Sequence, residues 1–166
     1  MTTQVTPNGL LRLYLGPLVM ALFGCTDNQN PESAKQLWAA IHAESYHDWQ
    51  HAPGYETRRH SNAPHGDEVT IYVNDALAAR LAAQAPLDTW PVGSTIVKDG
   101  FDGNKLDLVA VMDKRADGWF WAEYSSDGDA SYSGHPDLCI DCHRSGADFV
   151  RAFGFPASNA LTRDAP

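Results

Sequence analysis

Cys139-Ile140-Asp141-Cys142-His143 is the stretch of this chain whose residue types and spacing together specify a chemistry. Two thiols three positions apart, followed at once by an imidazole, match the two vinyl groups and the iron of one haem. The cysteines add across the vinyls as thioethers, and His143 binds the metal as proximal axial ligand. Three other uses of C-x-x-C compete with this one. A zinc site needs four thiolate or imidazole ligands, and the chain has no second C-x-x-C. A thioredoxin-like dithiol follows a strand and opens a helix, whereas the residues before Cys139 are polar and rich in Gly and Ser. A structural disulfide suits an exported protein, but it gives no role to a histidine directly after Cys142. Covalent attachment of one haem c is therefore the expectation.

Export is signalled independently. Residues 1–24 hold no acid and one base, Arg12, and residues 13–23 are apolar apart from Gly16 and Pro17. Such a run is a signal-peptide core, too short and too interrupted for a membrane span. It ends Leu22-Phe23-Gly24-Cys25, which resembles the lipobox of bacterial lipoproteins. That resemblance implies cleavage before Cys25, acylation of its thiol and a lipid-anchored protein facing the periplasm. The alternative is an ordinary signal peptide with cleavage nearby and release into the periplasm. Covalent haem attachment in bacteria also takes place outside the cytoplasm.

The formal net charge is −9, and it becomes −10 once Arg12 leaves with the leader. An acidic surface argues against nucleic acid and against anionic lipid head groups as partners, and it suits a basic redox partner. Residues 25–36 read as a tether and the start of a helix, 37–155 as one haem domain and 156–166 as a tail.

Around the motif the chain reads as α+β, an antiparallel sheet of four to five strands with flanking helices at its ends and on one face. Asn30 caps a first helix with Pro31 in its first turn, and Leu37, Trp38, Ile41, Ser45 and Trp49 share one face at helical spacing. Residues 51–66 lose all periodicity. Residues 68–73 (E-V-T-I-Y-V) form a strand, and Asn74 and Asp75 cap a short helix through Ala83. Further strands cover 94–98, 105–113 and 119–124, separated by Asp-Gly turns, so that a meander results. In the second of these, Leu106, Leu108, Ala110 and Met112 lie on the apolar face, with Asp107 and Asp113 turned to solvent. Loop follows Gly128 until a short helix carries the motif, and a second helix covers 147–153.

The second axial position is the next question. No methionine follows His143, and Met112, the last methionine of the chain, sits inside a strand where a core-facing side chain is expected. His42, His47, His51, His60, His65 and His135 are the histidines that could serve instead. The expectation is a five-coordinate iron or one with a weakly held water, open to small molecules and suited to ligand chemistry ahead of simple electron transfer.

Four segments together carry a family resemblance: A-P-H-G (63–66) before I-Y-V-N (71–74), W-P-V-G-S-T-I-V-K (90–98), D-G-W-F-W-A-E-Y (117–124) and C-I-D-C-H. In their order and spacing the chain resembles the cytochrome P460 family and its relatives, the beta-type cytochromes c prime, from about Leu37 to Phe155. The resemblance implies a mostly antiparallel β haem protein, a homodimer, with a five-coordinate c-type haem. Members of the family oxidise hydroxylamine, and others bind nitric oxide or carbon monoxide. The activity implied is thus that of an oxidoreductase acting on hydroxylamine or nitric oxide, passing electrons to a partner cytochrome. A gas-binding protein without turnover and a plain electron-transfer cytochrome are the alternatives.

Lys98 and Glu123 are the candidate catalytic residues. Lys98 matches the strand lysine that oxidising members bond covalently to the porphyrin. Such a bond needs a neutral amine, which burial supplies by lowering the lysine's pKa. On an extended strand Lys98 shares a face with Ile96, so an inward Ile96 brings it inward; the alternative is a strand-end lysine reaching water. Glu123, between Trp121 and Tyr124, is a candidate base for taking protons off nitrogen, set against an outward-facing strand carboxylate. Trp119, Phe120, Trp121, Tyr124, Phe149 and Phe153 supply apolar walls. Arg59 and His65 lie in the irregular segment, with no position assigned to them over the iron.

Overall fold

Asn30 and Asn74 open the two longer helices of the computed structural model, which describes residues 27–156. The leader, Cys25 and residues 157–166 lie outside the described residues. Each asparagine side chain accepts a backbone N–H three residues on, from Ser33 and from Leu77, both at 3.2 Å. These are donors that a helix N-terminus otherwise leaves open. Helix α1 spans Pro31–Ala43 and α2 spans Asp75–Ala83. Helix α1 stops short of the face drawn for it, because Ser45 adopts a left-handed conformation (φ 52°) and the chain tightens into a single turn at Tyr46–Asp48. Tyr46, rather than Ser45, continues the buried row of Ala34, Leu37 and Ile41.

The strands are β1 (Gln50–His51), β2 (Arg59–His60), β3 (Glu68–Val73), β4 (Thr95–Asp102), β5 (Lys105–Arg115), β6 (Gly118–Ser125) and β7 (Ala130–Gly134). They form one antiparallel sheet in the order β1-β3-β4-β5-β6-β7, with β2 also on β3. The α+β class and the antiparallel meander are as expected. The count of four to five strands covers the longer ones, and two two-residue strands extend the sheet. Strand β7 corrects the loop reading of 129–134. Its A-S-Y-S-G composition has a single strong strand former, and pairing with β6 decides its conformation.

Burial on both faces is the second correction. Val97, Val109, Val111, Phe120, Ala122 and Tyr124 pack under α1, while Ile71, Val73, Ile96, Met112, Trp119 and Trp121 pack with Leu77 and Leu81 of α2. Helices therefore cover both faces of the sheet, not one. β5 does not alternate apolar against solvent: Val109 and Val111 are as buried as Met112, and of its two aspartates Asp107 is exposed and Asp113 half-buried. A bulge between Gly100 and Phe101 shifts the register at the end of β4, and Leu106 packs against the α1 side.

Helix α3 (Asp137–His143) carries the C-x-x-C-H motif and buries none of its residues. No helix forms over 147–153. Asp148 (φ 46°) and Phe149 (φ 67°) are both left-handed there, and Ala147 bridges Val150 in a tight turn.

Candidate haem site

The cross-strand register builds the wall opposite the motif. Ile71, Lys98, Ala110 and Glu123 form one row across β3, β4, β5 and β6. They share the face of Ile96 and Trp121. Ala110 is small, so no side chain of bulk separates Lys98 from Glu123, whose strands are two spacings, roughly 10 Å, apart. Lys98 is thus turned inward. Burial, aided by the nearby positive charge of Arg151, lowers its pKa despite opposing contributions from Cys142 and Glu123. None of the ion pairs among the described residues includes it. Its amine is held toward the neutral, nucleophilic form.

Glu123 is also inward, with 23% of its side chain exposed. His65 Nδ1 donates to its carboxylate at 2.7 Å. Two glycines make this pairing possible. Gly66 sits at φ 105°, a region closed to most side chains, and a Cβ there would stand 2.7 Å from the Phe101 nitrogen. A Cβ on Gly100 would collide with the His65 carbonyl oxygen. The 65–66 backbone therefore lies directly on β4, and the His65 ring reaches β6. Of the six histidines considered as second axial ligands, His65 is the one whose ring lies beside His143, with centroids 6.2 Å apart. His42 bonds its own helix, His47 bonds Asp99 on the opposite face and His60 bonds Asn62.

On α3, Cys139 is half-buried, Cys142 is exposed and both thiols are free. Burial pushes the Cys139 thiol up to about 11, so it is protonated at neutral pH. Arg151 Nη1 reaches the Cys142 sulfur at 3.2 Å. The His143 ring stands edge-on to Trp121 with centroids 4.7 Å apart. Its Nδ1 lies 2.9 Å from the Phe149 carbonyl oxygen. A carbonyl only accepts, so Nδ1 carries the proton and the Nε2 lone pair is left free. Burial drops the His143 pKa to about 4, partly offset by that hydrogen bond and reinforced by Lys98, His65 and Arg151. The imidazole is neutral at physiological pH, which is the form that binds a metal.

The turn that supplies this carbonyl is held from several sides. Asp148 accepts from Lys114 Nζ at 2.9 Å, from the Thr89 hydroxyl at 2.7 Å and from the Trp90 backbone N–H at 2.9 Å. The Trp90 and Trp119 indoles donate to the carbonyls of Ala147 and Asp148 at 2.9 and 2.8 Å. Burial alone would raise the Asp148 carboxyl, but these donors, Lys114 foremost, hold it below the usual range. A left-handed non-glycine residue costs roughly 1–2 kcal/mol, and five donors offset two of them in succession.

The residues present fit a covalently attached haem. Two thiols lie one helical turn apart, a neutral imidazole with its Nδ1 committed follows them, and a lysine amine free of ion pairs faces the same side. Helix α3 also leaves Leu138 62% exposed and has no fully buried residue, so apolar surface is available for a porphyrin to cover. Among the described residues no three His, Cys, Asp or Glu side chains form a bare-ion site. Met112 is buried in the core, as expected.

His65 and Asp148 are the site residues that sequence reasoning did not place. His65 pairs with a residue 58 positions away, and only the Gly after it hints at a close approach. Asp148 lies in a segment whose composition reads as helix. No known family profile matches the chain, and no curated protein matches it.

Proposed function

We propose that this chain is a periplasmic mono-haem c-type cytochrome of the cytochrome P460 type. In this reading Cys139 and Cys142 hold one haem c by thioethers and His143 is its proximal ligand. The observation that carries the reading is the state of His143: neutral, with Nδ1 donating to Phe149 and Nε2 free, one residue beyond two free thiols. Ligating histidines are ordinarily oriented in this way by a hydrogen bond from the other ring nitrogen.

Bound haem would supply an iron able to take up a small ligand and change oxidation state. The proposed guest is a small nitrogen compound, hydroxylamine or nitric oxide. Removing electrons from hydroxylamine also releases protons, and the His65–Glu123 pair is the acid–base unit on hand to receive them. Glu123 holds the ring through Nδ1, which leaves His65 Nε2 to take up a proton. Lys98 is the candidate for a porphyrin cross-link, supported by its inward position and burial. The family resemblance adds a homodimer and a partner cytochrome that accepts electrons. The lipobox adds an anchor at Cys25, and a Cys25→Ser chain is expected to leave the membrane fraction.

Hydroxylamine with an electron acceptor tests the activity. Acceptor reduction is expected, and His65→Ala should slow it by roughly 10²–10⁴-fold, the usual weight of a general base. Guest binding without acceptor reduction would leave a gas-binding protein. Lys98→Ala tests the cross-link, which predicts a ferrous Soret band well to the red of ordinary haem c in the parent and its return in the variant. An unchanged spectrum removes the cross-link.

One observation favours a second reading, a simple electron carrier with His65 as sixth ligand. The His65 and His143 rings lie 6.2 Å apart, centroid to centroid, so His65 would be the second imidazole on hand to hold a haem iron. Six-coordinate low-spin ferrous bands that become high-spin in His65→Ala would establish that reading over the first.

A further inference from the structure

We infer that Asp148, outside the haem motif, is the positioning residue that sets the orientation and donor strength of His143. The inference rests on the haem reading and concerns a separate part of the site. Its basis is a convergence. Lys114 on β5, Trp119 on β6, and Thr89 and Trp90 before β4 all donate to residues 147–148. The side chains that send these bonds come from three parts of the chain far from α3. None of them touches the His143 ring by hydrogen bond. What they fix is a turn with two successive left-handed residues, Asp148 and Phe149. The product of that turn is one carbonyl, that of Phe149, aimed at His143 Nδ1 from 2.9 Å.

Chain geometry explains why the anchor is needed. A left-handed Phe149 has no conformational preference for its place, since a bulky L side chain disfavours it. Without the anchors the turn relaxes toward negative φ, and the Phe149 carbonyl swings off the ring. His143 would then lose the bond that commits its proton to Nδ1, and the tautomer and ring angle would no longer be fixed. Asp148 joins most of the anchors: its carboxylate binds Lys114, Thr89 and the Trp90 N–H at once, with only 13% of its side chain exposed. A hydrogen bond to Nδ1–H makes the opposite nitrogen a stronger donor. Asp148 thus acts on His143 through backbone, and through His143 it would act on a bound iron.

The test compares the full-chain holoprotein with Asp148→Ala, Asp148→Asn and Lys114→Met, with Asp113→Asn as a control that breaks a different pair on the same strand. The readouts are the iron–histidine stretch by resonance Raman and the reduction potential. The stretch is expected to fall and the potential to rise in Asp148→Ala, by less in Asp148→Asn and Lys114→Met, and to stay put in the control. Retained covalent haem with both values unmoved in Asp148→Ala overturns the inference. Should that variant not fold, unmoved values in Asp148→Asn and Lys114→Met overturn it equally. Should the parent itself hold no haem, the haem reading fails instead, and imidazole nitrogen NMR on the full chain decides the positioning role. A pure Nδ1–H tautomer at His143 that becomes mixed in Asp148→Ala supports it, and the same tautomer in both overturns it.

Discussion

Lys98 and Asp99 are neighbours on β4, point to opposite faces of the sheet, and meet two different kinds of surroundings. Asp99 is 2% exposed beneath the Tyr46–Asp48 turn, where the Tyr46 hydroxyl and His47 Nε2 each donate to it at 2.9 Å. Leu37, Ile41, Val97, Val109 and Phe120 pack on the same face, and buried Thr70 lies directly across from Asp99 on β3. Lys98, on the other face, has no ion pair among the described residues and lies close enough to Cys142 and His143 to interact with them electrostatically. Buried polar groups ordinarily satisfy one another. The Asp99 face does so; the Lys98 face pairs His65 with Glu123 but leaves Lys98 without an ion pair among the described residues, and it is the face on which we propose that a cofactor is held.

Substitutions on the two faces should therefore separate pigment from stability. The largest effect is expected for Cys139→Ser with Cys142→Ser, which should abolish all covalently held pigment; any pigment surviving denaturation would break the contrast. Phe120→Ala on the Asp99 face should cost about 3–5 kcal/mol in denaturant unfolding while leaving haem per folded molecule unchanged. Gly100→Ala sharpens the comparison from the Lys98 side. Its Cβ would push the His65 backbone off β4, lowering stability by about 1–3 kcal/mol and slowing turnover in the same direction as is expected of His65→Ala. Full turnover in Gly100→Ala would show that the His65–Glu123 bond is dispensable.

Asp99 yields a pH test with a definite sign. Burial raises its folded pKa above the ordinary carboxylate value of 3.8, against the donors Tyr46 and His47. Within the window between those two values the folded state binds more protons than the unfolded state, so stability falls as pH rises through it. Asp99→Asn should flatten that slope, measured by unfolding midpoints across the acidic range; a slope left intact would assign it to another group. The smallest effect belongs to Tyr124→Phe. It removes the hydroxyl that donates to the Ala34 carbonyl at 2.7 Å and should cost about 1 kcal/mol, with spectra unmoved.

The same comparison shows what could be read from residues alone. Local chemistry was legible where it decides structure: Asn30 and Asn74 as caps, E-V-T-I-Y-V as a strand, Lys98 inward because Ile96 is. The motif on α3 was legible for the same reason, since all its parts lie within five positions. Outcomes set by distant contact were not legible. Alternation in β5 suggested one apolar face, yet valines fit either side of a sheet, and α1 arriving from residues 31–43 buries the second. Strand β7 is made by its partner, the 147–150 turn by anchors on three other segments, and the His65–Glu123 pair by the absence of side chains at Gly66 and Gly100. Glycine and alanine positions hold that information as missing bulk, which periodicity does not register.

The central claim is that two thioethers and one imidazole hold an iron porphyrin on the Lys98 face. Its most direct measurement is to express the full chain with haem-maturation machinery, denature it, and extract with acidified organic solvent. Pigment that stays with the precipitated protein is the predicted result. Pigment that passes into the solvent, or a chain that never takes any up, would contradict the account.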